Sequence, residues 1–230
     1  MNTVSQKTIF RAVLLKEWVK LRILVWVPFL LMIAFLIDTY MRYKGIVALH
    51  GASALWLDLM YKQSIAFLKL EWVLIGGGIW FACLQFLPEC SHKRLRLLFH
   101  LPVAHQLPIY SMVGVGLLVT GVLFLGAYGG FYAVLSRFYL PAELYVPMLK
   151  TLLPWGLAGT VAYCVTAAVI AQTDIVRKLA LVFLGYVYIS FLSETNGFDA
   201  FEDLEWYALC CVPWIFAFEA AALGVKEGRA

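Results

Sequence analysis

The chain has 230 residues, 63% hydrophobic and 14% charged, with a net charge of +4 and a mean hydropathy of +0.85. An ordinary soluble domain is roughly half apolar and a quarter charged, so a soluble enzyme or a nucleic-acid-binding module is excluded. The apolar runs do not alternate with period two, which also excludes a membrane β-barrel and leaves an all-α polytopic bundle, each span needing about 20 residues to cross about 30 Å of hydrocarbon.

Residues 1–22 form a basic juxtamembrane stretch in which Ile9, Phe10, Val13, Leu14, Leu15, Trp18 and Val19 interleave with lysines and arginines. On a helical wheel the charges do not collect on one face. The stretch therefore reads as an interfacial helix whose Lys and Arg stems snorkel as it leads into the membrane. No signal-peptide core precedes Ile23, so the first span is expected to remain as an anchor.

Six spans follow, near 23–41, 66–87, 109–134, 148–171, 177–193 and 206–225, with a short tail at 226–230. Residues 42–65 make the longest connection on the far side, and Ala48–Tyr61 fits a short helix lying on the surface. At the start of the second span, Lys69 and Glu71 read as interfacial. The third span is rich in glycine from Gly114 to Gly130, the composition of a helix that packs closely on its neighbours. Glu219 in the sixth span is costly in hydrocarbon. It is a candidate intramembrane polar site, a partner for a cation on another helix, or a carboxylate that reaches the inner interface.

Twelve of the eighteen Lys and Arg residues fall on the side that holds both termini and the 88–108 loop. On the other side Asp and Glu outnumber the remaining basic residues, so the positive-inside rule predicts that both termini are cytoplasmic. The inner loop carries Glu89, Lys93, Arg94, Arg96 and three of the four histidines, His92, His100 and His105. Pro88, Pro102 and Pro108 punctuate it, which predicts a short helix bracketed by breaks. On that helix Glu89, Lys93, Arg96 and His100 share one stripe, Glu89 and Lys93 form an i,i+4 pair, and Leu95, Leu98 and Phe99 occupy another face. Such a helix suits docking of a cytoplasmic partner.

Chemistry-bearing patterns are missing. No Gly-x-x-x-x-Gly-Lys phosphate loop occurs, and Gly76-Gly77-Gly78 lies inside a span. Neither Gly-x-Ser-x-Gly nor His-Glu-x-x-His is found, and no His or Cys spacing suits a metal. The five cysteines sit in or beside spans and imply no disulfide framework. The expectation is a chain with no catalytic residue, no cofactor-binding residue and no metal site.

A basic stretch, Arg11-Ala-Val-Leu-Leu-Lys-Glu-Trp-Val-Lys-Leu-Arg22, leads into six spans. Glu89 then follows the second span, with Lys93, Leu97, Leu98, Leu101 and Pro102 after it. This layout resembles the membrane (permease) subunit of type-2 ABC transporters over nearly the whole chain. The resemblance implies an exporter subunit of a bacterial cytoplasmic membrane, paired with a second permease subunit as homodimer or heterodimer. It also implies a separate cytoplasmic ABC ATPase, present in two copies and carrying ATP and Mg, which pushes on a coupling helix through Glu89, Lys93, Arg96 and His100. Rival readings are a non-transporting scaffold or mechanotransmitter whose inner helix binds a cytoplasmic partner, and an ion-coupled secondary transporter.

Overall fold

The computed structural model describes residues 15–20, 22–61, 67–91, 106–138, 140–193 and 204–226, and no strand occurs among them. The main helices are α1 (Trp26–His50), α2 (Ala52–Tyr61), α3 (Lys69–Ser91), α4 (Gln106–Ser136), α5 (Ala142–Ala171), α6 (Ile175–Ser193) and α7 (Leu204–Lys226). All but α2 are long and apolar enough to cross a membrane, six in total. Leu30, Leu118, Leu125, Phe183 and Phe216 point outward from them, as hydrocarbon permits and water does not. The protein is an integral membrane protein.

Helices suit this environment because each satisfies its own backbone groups. Buried hydroxyls are satisfied the same way: Thr39, Thr120 and Thr151 each donate to a carbonyl one turn earlier, at 2.9–3.0 Å. Those bonds keep these three hydroxyls paired where no water can reach.

The helix that organises the bundle is α5, whose membrane segment is 67% buried against 11% for α6 or α7. It packs against α3, α4, α6 and α7, while α1 covers α3 and α4 and carries α2. The tightest approach is between α3 and α5. A Cβ at Gly78 would collide with the carbonyl of Gly159, and one at Gly159 would come within 2.8 Å of the Leu74 carbonyl oxygen. Small residues here bring two backbones together, the usual basis of helix association in lipid. Aromatic packing fills the space on either side, with Phe67 against Phe131 at 4.4 Å and Phe86 against Phe218 at 4.5 Å.

Several boundaries differ from those read in the sequence. The first helix continues past residue 41 to His50, because Arg42 pairs with Asp38 one turn back and Tyr43 packs edge-on against Phe138. It stops only at Gly51, whose φ of 81° is open to glycine and whose N–H caps the Val47 carbonyl. The following helix, α2, does not merely lie on the surface, since Leu55 and Leu59 are buried in the main core. Pro88 does not break the chain either: α3 runs through it to Ser91, as α5 and α7 run through Pro147, Pro154 and Pro213. Lipid offers the backbone no competing solvent, so a proline removes one bond without ending the helix. Glu89 thus belongs to the last turn of α3 and not to a separate loop helix.

Candidate functional site

The bundle has two ends. At the proximal one, where the chain enters, lie residues 15–25, the end of α3, the start of α4 and the end of α7. At the distal one lie the start of α3 and the end of α6.

Residues 15–20 are helical, and their amphipathicity is inverted relative to a soluble helix. Leu15, Trp18 and Val19 are exposed, whereas Lys16, Glu17 and Lys20 share the face turned to α3. The Lys16 ammonium lies 2.8 Å from Glu89 Oε1, and Lys20 bridges Glu89 and Glu17, the latter at 2.9 Å. Both carboxylates are almost fully enclosed, at 1% exposure for Glu89 and 0% for Glu17. The lysine side chains are 16% exposed at Lys20 and 42% at Lys16.

Two cations and two anions make a neutral quartet at the edge of a low-dielectric region, which is what permits the charges to be buried at all. The lysines also sit at the C-terminal end of α3, where the helix dipole favours positive charge. Glu17 Oε2 has no hydrogen-bond partner, so the quartet is closed around Glu89 and left open at Glu17.

One turn before Glu89, on the same face of α3, the chain places Gln85, which is fully buried. Its amide nitrogen donates to the Met112 carbonyl of α4 at 2.6 Å, and its oxygen accepts from the Tyr163 hydroxyl of α5 at 2.8 Å. One turn from the quartet, Gln85 therefore ties α3 to α4 and α5. At the same end the Tyr110 hydroxyl of α4 donates to Glu219 of α7. Glu219, singled out in the sequence for its place in a span, is joined to a neutral partner on a neighbouring helix.

Of the four residues assigned to partner contact, Glu89 is the one whose surroundings are defined. Its carboxylate faces the N-terminal lysines. Lys93, Arg96 and His100 lie outside the described residues.

Sequence reading missed Lys16, Glu17, Lys20, Gln85 and Tyr163 as members of one site. The signal for Lys16 and Lys20 was their i,i+4 spacing, and for Gln85 it was a lone amide in an apolar run four residues before Glu89. No triad of His, Cys, Asp or Glu suited to a metal occurs among the described residues.

No family model, no curated protein and no solved structure matches the chain.

Proposed function

We propose that the chain is the permease subunit of an ATP-driven ABC exporter in a bacterial cytoplasmic membrane. It pairs with a second permease subunit and works with two copies of a separate ATPase that carries ATP and Mg. In this reading the proximal end is cytoplasmic, and the chain has no catalytic role of its own.

The observation that supports it is the quartet around Glu89. It fixes the N-terminal helical stretch to the point at which residues 92–105 leave α3, and Gln85 carries the connection on to α4 and α5. A push on the loop is thereby delivered to three spans at once instead of being lost in one side chain. Switching of a packed bundle needs a rigid connection of this kind, because ATP binding on the partner biases the equilibrium only if the two states differ in their interactions. Glu89 is in this view a positioning residue, and the stripe Lys93, Arg96 and His100 meets the ATPase.

The test is purification of the tagged chain from its native membrane, with mass spectrometry and an ATP-hydrolysis assay of what accompanies it. The comparison variant is Lys93→Glu with Arg96→Glu, which replaces no member of the quartet. A stoichiometric nucleotide-binding subunit is expected with the wild-type chain, and its recovery should fall at least about tenfold with the variant, the loss brought by roughly 1.4 kcal/mol. Recovery of the chain alone, or with a partner that lacks nucleotide-binding motifs, would replace this reading with a scaffold or secondary transporter. Unchanged recovery with the variant would remove the docking role from the stripe.

A further inference from the structure

The distal end of α3 carries a second buried carboxylate, and among the described residues no lysine closes on it as two do on Glu89. Glu71 is 6% exposed, and no cation among the described residues pairs with it. Two other acidic side chains do have cations nearby: Asp38 has Lys69 at 2.8 Å, and Asp174 has Arg177 at 3.6 Å. Beside the Glu71 carboxylate stands the Ser193 hydroxyl, buried and without a well-formed hydrogen bond.

Both groups line one end of a cavity of about 390 Å³ between α3, α5 and α6. Its remaining walls are almost wholly apolar. Ile75 and Ile79 come from α3, Val165 and Val169 from α5, and Val182 and Ile189 from α6. The groove follows α3 from Glu71 to Ile79, about 12 Å at 1.5 Å per residue. Trp72 and Tyr186 stand at its mouth and are 67% and 68% exposed, so it opens sideways toward lipid and not into the middle of the bundle.

A carboxylate with no cation beside it among the described residues is expensive in such a place, whereas a cation that arrives with its own apolar tail removes the cost and fills the groove together. We propose that this groove holds a bilayer phospholipid with a protonated primary-amine headgroup, the ammonium against Glu71 and Ser193 and one acyl chain along α3, α5 and α6. A primary ammonium has three N–H donors, enough to reach both the Glu71 carboxylate and the oxygen of the Ser193 hydroxyl beside it. A bare cation would leave the long apolar wall unused. An anionic headgroup would meet the carboxylate with the wrong sign. The site does not depend on the transporter reading, since it uses neither the proximal quartet nor the loop that leaves it.

The experiment is native mass spectrometry of the full-length protein in detergent. It is titrated with phospholipids of identical chains carrying an ethanolamine, a choline or a phosphoglycerol headgroup. The ethanolamine lipid is expected to be retained about tenfold more strongly than the phosphoglycerol lipid, the size of effect that one charge-assisted hydrogen bond brings. The choline lipid, whose nitrogen has no N–H, should fall between them. Glu71→Gln should erase the headgroup preference while still binding the chains, and it should leave thermal stability without lipid unchanged or higher.

Thr166→Phe, which adds a ring to the groove wall without touching Glu71, should abolish retention of all three lipids at this site. The reactivity of the buried Cys164 thiol reports that each variant is folded. Equal retention of the three headgroups by the wild type, an undiminished preference in Glu71→Gln, or full retention in Thr166→Phe would each overturn the proposal.

Discussion

Glu89 and Glu71 lie on the same helix about 27 Å apart along its axis, both enclosed, and the bundle treats them in opposite ways. At the proximal end two lysines from a separate stretch of chain close on Glu89, and the charge is cancelled within the protein. At the distal end Glu71 faces a lateral groove, with the Ser193 hydroxyl beside it and no cation among the described residues. Burial alone therefore does not distinguish a structural carboxylate from one that awaits a ligand. The distinction lies in whether the described residues supply the opposite charge.

The comparison can be broken most severely midway between the two glutamates, where Gly78 of α3 touches the backbone of α5 at Gly159. Gly78→Leu has no rotamer that relieves the clash, because the obstruction is backbone and not a flexible side chain. Overpacking ordinarily costs about 1–3 kcal/mol when neighbours can shift. Here α3 and α5 must separate, so both glutamates lose their surroundings together. The expected outcome is loss of the monodisperse peak in size-exclusion chromatography and rapid labelling of Cys164. A folded Gly78→Leu protein with Cys164 protected would show that the two ends are held independently.

The same helix shows how far the sequence could be read. Six apolar runs marked the six long helices, since hydrocarbon demands length and apolarity of every span regardless of neighbours. What could not be read was set by packing between elements. Lys69 and Glu71 are two residues apart and look alike in composition, yet residues two apart on a helix face nearly opposite ways. Lys69 therefore reaches Asp38 on α1, while Glu71 turns into the groove beside α6. The inward charges of residues 15–20 were likewise invisible on a helical wheel, because only the position of Glu89 on α3 defines their face. Proline misled in the same direction, since Pro88 signals a break in water and passes through a helix in lipid.

A smaller perturbation sharpens the proximal half of the comparison. Lys20→Met removes the cation shared by Glu17 and Glu89 and leaves two enclosed carboxylates against Lys16 alone. Breaking a buried pair from one side typically costs about 3–5 kcal/mol, and Lys20 is enclosed enough for that range to apply. Lys16→Met should cost no more than about 1 kcal/mol, because its side chain is 42% exposed and already screened. Thermal unfolding in detergent, followed by Cys164 labelling, should separate the two variants clearly. Equal effects of the two substitutions would mean that the quartet acts as a loose cloud of charge with no privileged member.

A smaller effect than that of Lys20→Met lies one turn deeper, where α3 is tied to the rest of the bundle. The hydroxyl end of the Tyr163 ring packs against Gly116 of α4, so Tyr163→Phe keeps the ring in place and deletes the hydroxyl that donates to Gln85. Gln85 then retains its bond to the Met112 carbonyl but has a buried oxygen without a donor, a loss of about 1–3 kcal/mol. The loss should vanish in a Gln85→Leu background, where no acceptor remains to be left unpaired. Such a cycle, read by thermal unfolding, assigns the cost to the Gln85–Tyr163 bond and not to ring packing. If the loss persists in the Gln85→Leu background, the cost belongs to ring packing, and the Gln85–Tyr163 bond does not hold α3 to α5.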